Sequence, residues 1–547
     1  MLAAVLLATL GATLAWGLFG PEPAIVVSPT TTFLTAPCAA DGLPDYEAAL
    51  IASAAPLPSA EENVAAELLL TFWPFDVSPD GLREVCAAVG VPPTPPAGAL
   101  ARPHKDRDAN ISYGMFVDAR QRPWTGTDFP AVEAWFVRHA TPLDRVVAAT
   151  DRPRYWLPHA ALVNGRPDPL YRSVNILNGV LDVAQVLHGR AMWHRGAGRY
   201  AEAWRDIRAI LRLGRSITTG ESGPSMFFAV AQASALEQMA ARATIEHLVG
   251  SPTVPGDVIA TIRRDLDALG PPAGPEAAIE SGRIQAIDIV IWLARRQPEG
   301  RSARVQEIDK LDVGLFGRPV VLETMPWTRA ALRTSLDWNV VLAHFNTLGD
   351  RYAAACRLPT YRERHAAASL LDTEVLNGPA MPAGTTVSNA TGAILFATSR
   401  HWRSDRVGTA LVRILSDGST AAFLAKYAES RARFEMTRTA AALAAWRADQ
   451  PPGTPPYPDR LDALVPKYLA AVPLDPFTDE PLIYERRGDG YLMASTGRDG
   501  VYDGGDDVSG RIVRGEWQDQ PGRGGYDRTD IVVRIPIPQP VAAPADR

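Results

Sequence analysis

Cysteine is scarce in this sequence of 547 residues, which contains Cys38, Cys86 and Cys356 and no other. So few cysteines exclude a fold built on a disulfide framework, because a single bond would already leave an odd thiol. The formal net charge is -6 at pH 7, so the chain lacks the basic field that nucleic-acid binding requires. With 46% hydrophobic and 21% charged residues, the composition is that of a globular protein.

The short motifs that identify common reactions are also missing. The sequence contains no H-E-x-x-H, no G-x-S-x-G, no P-loop and no pair of C-x-x-C clusters. His188 and His194 lie six residues apart on a predicted helix, so they do not share a face and are expected to be packing or surface residues. Glu280 and Asp288 have a helical spacing that is typical of a solvated ion-pair face. These absences favour a role other than catalysis.

Basic residues are absent from the first part of the chain, where Arg83 is the first Lys or Arg. Residues 1–19 are uncharged and mostly apolar. As a helix they would reach about 28 Å, close to the ~30 Å thickness of bilayer hydrocarbon, which predicts a signal anchor or a signal peptide. Segments depleted of basic residues tend to be translocated. We therefore expect an extracytoplasmic protein of the cell envelope, either anchored in the inner membrane or exported.

Periodic apolar residues predict helices through most of the chain. The clearest segment, residues 170–217, reads as two helices joined by a turn at Gly198, similar to a tetratricopeptide hairpin. Further helices are predicted at 225–248, 258–269, 276–296, 327–357 and 361–371. We predict a linker rich in Pro and Thr at 20–60, an α-helical bundle or repeat-like ectodomain at 61–376, a second linker at 377–391 and helices at 392–450.

The pattern changes to strands in residues 451–547. Alternating segments at 482–486 and 491–496 flank Gly488-Asp489-Gly490, which predicts a β-hairpin, and a last strand is predicted at 530–535. The second strand and the last strand are separated by a loop that begins GRDGVYDGGDD, in which aspartates lie among glycines. Calcium prefers about six to eight oxygen ligands, and such a loop offers carboxylates together with backbone carbonyls. The spacing is not that of an EF-hand, because Val501 occupies the third position.

The run from Tyr457 to Gly505, followed by DDVSG and later TDIVVRIP, resembles the globular C-terminal domain of the major pseudopilin of type II secretion, as found at the end of large bacterial envelope proteins. The pseudopilin loop reads Ser-Leu-Gly-x-Asp-Gly and later Asp-Asp-Ile, which match residues 495–500 and either 506–508 or 529–531. The resemblance implies a small α+β domain at 451–547. It also implies a calcium ion held by Asp499 with some of Asp503, Asp506, Asp507 and Asp530.

These observations predict a mainly α-helical envelope protein with a structural or protein-interaction role and a calcium-stabilised C-terminal domain. The membrane, through residues 1–19, and other envelope proteins are the expected partners. The alternative is an extracytoplasmic hydrolase with its site in the helical domain. A pocket in which His, Glu and Arg side chains converge would favour the hydrolase, whereas a shallow groove lined by aromatic residues would favour partner binding.

Overall fold

The protein is mainly helical and has a small antiparallel sheet near its C-terminus, as the sequence predicts. The computed structural model describes residues 2–536 apart from 73–78, 95–98, 159–161, 164–165, 168–170, 219–226, 296–299, 315–326, 378–388, 417–419, 503, 505–510, 514–515 and 519–529. The helices are α1 (Leu2–Phe19), α2 (Tyr46–Ser53), α3 (Val64–Thr71), α4 (Pro79–Val89), α5 (Tyr113–Gln121), α6 (Pro130–Arg138), α7 (Ala140–Ala149), α8 (Tyr171–Gly196), α9 (Tyr200–Ser216), α10 (Phe227–Thr244), α11 (Gly256–Leu269), α12 (Glu276–Arg295), α13 (Arg301–Gly314), α14 (Thr328–Leu332), α15 (Trp338–Cys356), α16 (Tyr361–Asn377), α17 (Asn389–Thr398), α18 (Arg400–Ser416) and α19 (Thr420–Asp449).

The strands form one three-stranded sheet and two short hairpins. The hairpins pair β1 (Leu162–Val163) with β2 (Arg166–Pro167) and β5 (Arg511–Val513) with β6 (Glu516–Gln518). The sheet has the antiparallel order β3 (Ile483–Arg487), β4 (Gly490–Ser495) and β7 (Ile531–Ile535). These bounds lie within about one residue of the predicted strands, because the alternating pattern and the glycine turn are local signals.

The hairpin of α8 and α9 lies in the first and larger hydrophobic core. Gly198 has φ of +75°, which explains why the turn between the two helices uses glycine. Ala184 and Leu187 on α8 and Ile207 and Ile210 on α9 are fully buried in this core, as the apolar periodicity predicts. The same core continues through α10, α11 and α19.

The C-terminal sheet packs into the first core rather than around a core of its own. Tyr491, Met493 and Val533 on β4 and β7 belong to the same buried cluster as Ile210 on α9 and Leu266 on α11. The long helix α19 contacts α10, α11, α16 and both of these strands, so it lies between the sheet and the helical body. The sheet and the first half of the helical body therefore share one continuous interior.

A second core is formed by α12 to α15 and α18. Ile287, Ile291, Leu342 and Leu411 are among its fully buried residues. The helix predicted at 327–357 is two helices here, since α14 ends at Leu332 and α15 starts at Trp338. The break arises because the Asp337 side chain caps α15 by accepting a hydrogen bond from the Asn339 N–H at 3.0 Å.

The N-terminal segment is packed against the second core, which differs from the linker predicted at 20–60. The Glu22 side chain is buried, and its carboxylate accepts hydrogen bonds from both Nη atoms of Arg304 at 2.8 and 3.0 Å and from Trp338 Nε1 at 2.6 Å. The Asn339 side chain binds the backbone of Ala24 and Val26, and α2 follows within the same segment. The sequence did not reveal this, because Glu22 and Arg304 are separated by 282 residues.

Helix α1 precedes this segment and contains no charged residue. Its large apolar side chains Val5, Leu10, Trp16 and Phe19 are 57–67% exposed. No helix in the described part of the chain is long and apolar enough to cross a membrane.

The C-terminal end of α1 is held by the helical body. The Ser335 N–H donates to the Leu18 carbonyl at 2.6 Å, and Arg301 Nη2 donates to the Gly20 carbonyl at 2.8 Å. Arg403, which is fully buried, donates to the Gly17 carbonyl. Residues 17–22 are thus positioned by α14, α15, α13 and α18 and the turns beside them.

Candidate functional site

The loop predicted to bind calcium leaves β4 and returns at β7. Asp499 is exposed, and its Oδ1 accepts a hydrogen bond from the Val501 N–H at 3.0 Å. Asp530 directly precedes β7 and is 5% exposed. Because Ser495 pairs with Ile531, the register brings Asp530 to the end of β4, where the loop begins. The three other predicted ligands, Asp503, Asp506 and Asp507, lie outside the described residues.

Asp475 anchors the start of this loop. It is 2% exposed, and its carboxylate accepts hydrogen bonds from Ser495 Oγ, Thr496 N and Thr496 Oγ1, each at 2.8 Å, and from the Phe477 N–H at 3.1 Å. Hydrogen bonds to an ionised acceptor are stronger than neutral ones. The role of this carboxylate was missed in the sequence, because three of its four hydrogen bonds come from residues about twenty positions downstream.

Arg498 ties the same loop to α19. Its Nε donates to Glu429 Oε1 at 2.7 Å, and Lys426 and Arg433 bind the other oxygen of that carboxylate at 3.0 and 3.3 Å. Burial opposes ionisation of Glu429, but the three cations together hold its pKa below the ordinary value. Gly497 has φ of +67°, a backbone conformation that glycine adopts without strain. The first turn of the loop is therefore fixed against the helical body.

The described residues contain no group of three or more His, Cys, Asp or Glu side chains that could hold a metal ion. Asp499 and Asp530 do supply hard oxygen atoms of the kind that calcium prefers. A full ligand set would need further atoms from the remainder of the loop. Calcium binding at this site stays a prediction.

A groove of about 600 Å³ lies between α15, α16 and α18. Its volume is within the range typical of small-molecule sites. Helix α18 lines it with residues spaced four apart, which share one face of the helix: His401, Asp405, Thr409 and Arg413. Helix α15 contributes His344, Thr347 and Arg351 among others, and α16 contributes Glu374 and Val375. His, Glu and Arg side chains converge here, and no aromatic residue of Phe, Tyr or Trp type lines this groove among the described residues.

A histidine–aspartate pair lies at one end of the groove. His344 Nε2 is 3.1 Å from Asp405 Oδ1, and this contact holds the pKa of Asp405 below its ordinary value although burial opposes the change. Gly408 makes room for the ring, since a Cβ atom there would lie 2.5 Å from His344 Cδ2. A carboxylate bound to one imidazole nitrogen orients the ring and leaves the other nitrogen for proton transfer.

An ion pair and a further arginine lie toward the other end. Arg351 Nη1 is 2.6 Å from Glu374 Oε2, and this contact raises the pKa of Arg351 and lowers that of Glu374. Arg413 donates from Nη2 to the Leu376 carbonyl. Within the described residues, the buried Nε of Arg413 has no hydrogen-bond partner, and the guanidinium forms no ion pair with a carboxylate.

The histidines singled out in the sequence are packing residues, and Asp288 differs from its prediction. Burial lowers the pKa of His188 and of His194 to about 3, and His194 Nδ1 accepts a hydrogen bond from Arg199 at 2.8 Å. Asp288 was predicted on a solvated face, but burial raises its pKa to about 6. Desolvation in the second core, beside the docked N-terminal segment, explains the change.

The groove itself was not predicted, because its residues come from three helices that are separated in the sequence. One local signal existed, the four-residue spacing of His401, Asp405, Thr409 and Arg413. The same spacing occurs on many solvated helices, so it carries little information without the packing. Comparison with protein-family models, curated proteins and solved structures finds no match to this chain.

Proposed function

We propose that the protein is a structural or interaction protein of the cell envelope, with a pseudopilin-like C-terminal α+β part that calcium stabilises. The continuous core supports this proposal most strongly. Tyr491, Met493 and Val533 of the sheet pack with Ile210 and Leu266 of the helical body. A sheet held in this way can transmit load or present a fixed surface to a partner, because it cannot move independently of the helices.

The envelope location rests on α1 and on the absence of basic residues before Arg83. Exposed Val5, Leu10, Trp16 and Phe19 need a covering environment, which a bilayer supplies. The bonds from Ser335, Arg301 and Arg403 would then hold the helical body at a set distance from the membrane.

Protease added to intact spheroplasts tests this location. We expect degradation of residues beyond about 20 while a cytoplasmic marker protein stays intact. Complete protection of a normally expressed protein would contradict an extracytoplasmic location.

Calorimetric titration of the full chain with calcium tests the metal site. We expect saturable binding that Asp499→Asn weakens strongly, since a carboxylate ligand is lost. Asp489→Asn is the matched control, because Asp489 is also an exposed aspartate and lies at the opposite end of β4. No binding at millimolar calcium, or equal loss in the two variants, would overturn the calcium proposal.

A hydrolase acting in the groove is the second candidate function. The observation that favours it is the His344–Asp405 contact of 3.1 Å within a cavity of substrate size. In this reaction His344 would take a proton from a water molecule, whose oxygen attacks the carbon or phosphorus of an ester, while Asp405 stabilises the imidazolium. The bond to the leaving alcohol then breaks, and the oxygen of that alcohol takes the proton from His344.

A panel of chromogenic esters and phosphate esters tests this candidate. Turnover by the wild-type protein should fall by about 10²–10⁴ in His344→Asn. His401→Asn is the control, because His401 lines the groove on the same wall as Asp405 without the close contact that His344 makes with it. Equal rates for the wild-type protein and His344→Asn across the panel would exclude the hydrolase.

A further inference from the structure

We propose that the groove between α15, α16 and α18 binds an elongated small molecule with a carboxylate at one end and a hydroxyl or similar hydrogen-bonding group about 10 Å away. The proposal concerns ligand binding and needs neither calcium nor turnover. It therefore stands or fails separately from both functions proposed above.

The local charge at the Arg413 end of the groove favours an anion. The carboxylate of Asp405 lies against His344, and that of Glu374 lies against Arg351. The guanidinium of Arg413 has no carboxylate partner among the described residues. Arginine binds a carboxylate through charge-assisted N–H bonds, so a carboxylate bound by its Nη atoms would neutralise this charge.

Helix geometry sets the length of the ligand. Asp405 and Arg413 lie eight residues apart on one face of α18, and His344 and Arg351 lie seven apart on α15. At ~1.5 Å per residue, these spacings place the two polar ends about 10–12 Å apart. A ligand that contacts both ends must therefore be extended.

The walls favour an apolar chain for the ligand. Leu348 lines the groove between its two ends, and Val375 and Val412 line it beside Glu374 and Arg413. The Thr409 hydroxyl already donates to the Asp405 carbonyl at 3.0 Å, so it has no proton left for a ligand acceptor, although its oxygen can still accept a bond. A methylene chain matches this wall, because it buries apolar surface without leaving polar groups unpaired.

The His344–Asp405 end selects a neutral hydrogen-bonding group. Asp405 can accept a bond from a hydroxyl, and the imidazole can donate or accept according to its tautomer. A second anion at this end would lie beside the Asp405 carboxylate and be repelled. The preferred ligand is therefore a hydroxy-carboxylate with a chain between the two groups rather than a dicarboxylate.

Isothermal titration of the full chain with three matched probes tests the proposal. The probe 8-hydroxyoctanoate carries both groups, octanoate lacks the distal hydroxyl, and 1,8-octanediol lacks the carboxylate. We expect the order of affinity hydroxyoctanoate, octanoate, octanediol, with about tenfold between successive probes. Octanediol binding as tightly as hydroxyoctanoate, or no saturable binding of any probe, would overturn the proposal.

Variants then locate the binding site. Arg413→Gln should weaken both carboxylates at least tenfold and leave octanediol unchanged, whereas Arg406→Gln, on α18 outside the groove lining, should change nothing. Thr409→Leu, which fills the middle of the groove without removing a charge, should weaken all three probes and serves as the test if Arg413→Gln does not fold. Unchanged affinities in Arg413→Gln or in Thr409→Leu would place the binding elsewhere and contradict the assignment.

Discussion

The C-terminal sheet and the groove differ in how far apart along the chain their interacting residues lie. Asp475 binds Ser495 and Thr496 about twenty positions away, whereas His344 meets Asp405 across 61 positions and Glu22 meets Arg304 across 282. Strand alternation and turn residues can be read in the sequence, which is why the sheet was predicted although the Asp475 contact was not. Long-range contacts depend on which helix faces pack together, so the sequence alone leaves them unassigned.

The burial of charged side chains also differs between the groove and the two segments that pack against the helical body. Around the N-terminal segment and the C-terminal loop, buried carboxylates are surrounded by donors, as at Glu22 and Asp475. In the groove, the pairs are partly exposed, with the side chains of Asp405 and Arg351 49% and 47% exposed. Buried pairs fix the fold, because breaking one leaves an uncompensated charge, while exposed pairs remain accessible to ligands.

We expect the largest loss of stability from removing the contact between Glu22 and Arg304, which are the most distant of these residues in the sequence. Glu22→Gln should lower the free energy of unfolding by about 3–5 kcal/mol, because Arg304 is fully buried and would lose its ionised partner. Urea unfolding measures the change. Asp41→Asn is the control on the same segment, and it should cost about 0–1 kcal/mol because the Arg295–Asp41 pair is partly exposed. Equal effects of the two variants would show that residues 20–45 are not held as described.

A smaller loss of stability is expected when Asp475, which holds the start of the C-terminal loop, is replaced. Asp475→Ala removes the acceptor of four hydrogen bonds and should cost about 2–4 kcal/mol in urea unfolding, because the buried donors lose their partner. Exposed Asp479, in the same turn, provides the control Asp479→Asn, with little change expected. A loss below about 1 kcal/mol in Asp475→Ala would mean that water replaces these bonds.

The pH dependence of stability tests the burial of Asp288. Its folded pKa of about 6 lies above the ordinary value, so the folded state binds the proton more tightly than the unfolded state. The stabilisation is complete below the unfolded pKa of about 3.9 and is lost as pH rises through the folded pKa. Relative to Asp288→Asn, the wild-type protein should lose about 2–3 kcal/mol between pH 4 and pH 7. Parallel pH profiles would contradict this burial.

The smallest effect concerns the room that Gly408 provides for His344. Gly408→Ala should displace the ring and cost about 1 kcal/mol, since the added Cβ would lie 2.5 Å from Cδ2. The control Gly282→Ala places a Cβ where no atom lies within 4 Å, in the middle of α12, and should stabilise by about 0.5–1 kcal/mol. Thermal unfolding compares the two variants. Stabilisation by both would indicate that His344 lies elsewhere.

Local signals in the sequence predicted the elements that depend on neighbouring residues. Gly198 marked the turn between α8 and α9, and Gly488-Asp489-Gly490 marked the turn between β3 and β4. The break before α15 was missed, because its cause is the Asp337 cap rather than a proline or glycine. The docking of residues 20–45 and the groove were missed for a different physical reason, since both depend on tertiary packing.

The functional prediction from the sequence is in part still open. Asp499 and Asp530 lie at the two ends of the loop, but the other proposed ligands are outside the described residues. The sequence analysis gave a hydrolase site in the helical domain as the alternative but assigned no residues to it. The structure supplies His344 and Asp405 as candidates. Residue types alone could not select them, because the contact requires the close approach of α15 to α18 at Gly408.

Native-state hydrogen exchange of the full chain, read by mass spectrometry with and without calcium, tests most directly whether the C-terminal sheet and the first helical core form one unit. The account predicts that amides of β4 and of α9 open with the same free energy and that calcium raises both together, because they share one interior. Opening of β4 at a clearly lower free energy than α9, with no response of α9 to calcium, would show an independent domain and contradict the account.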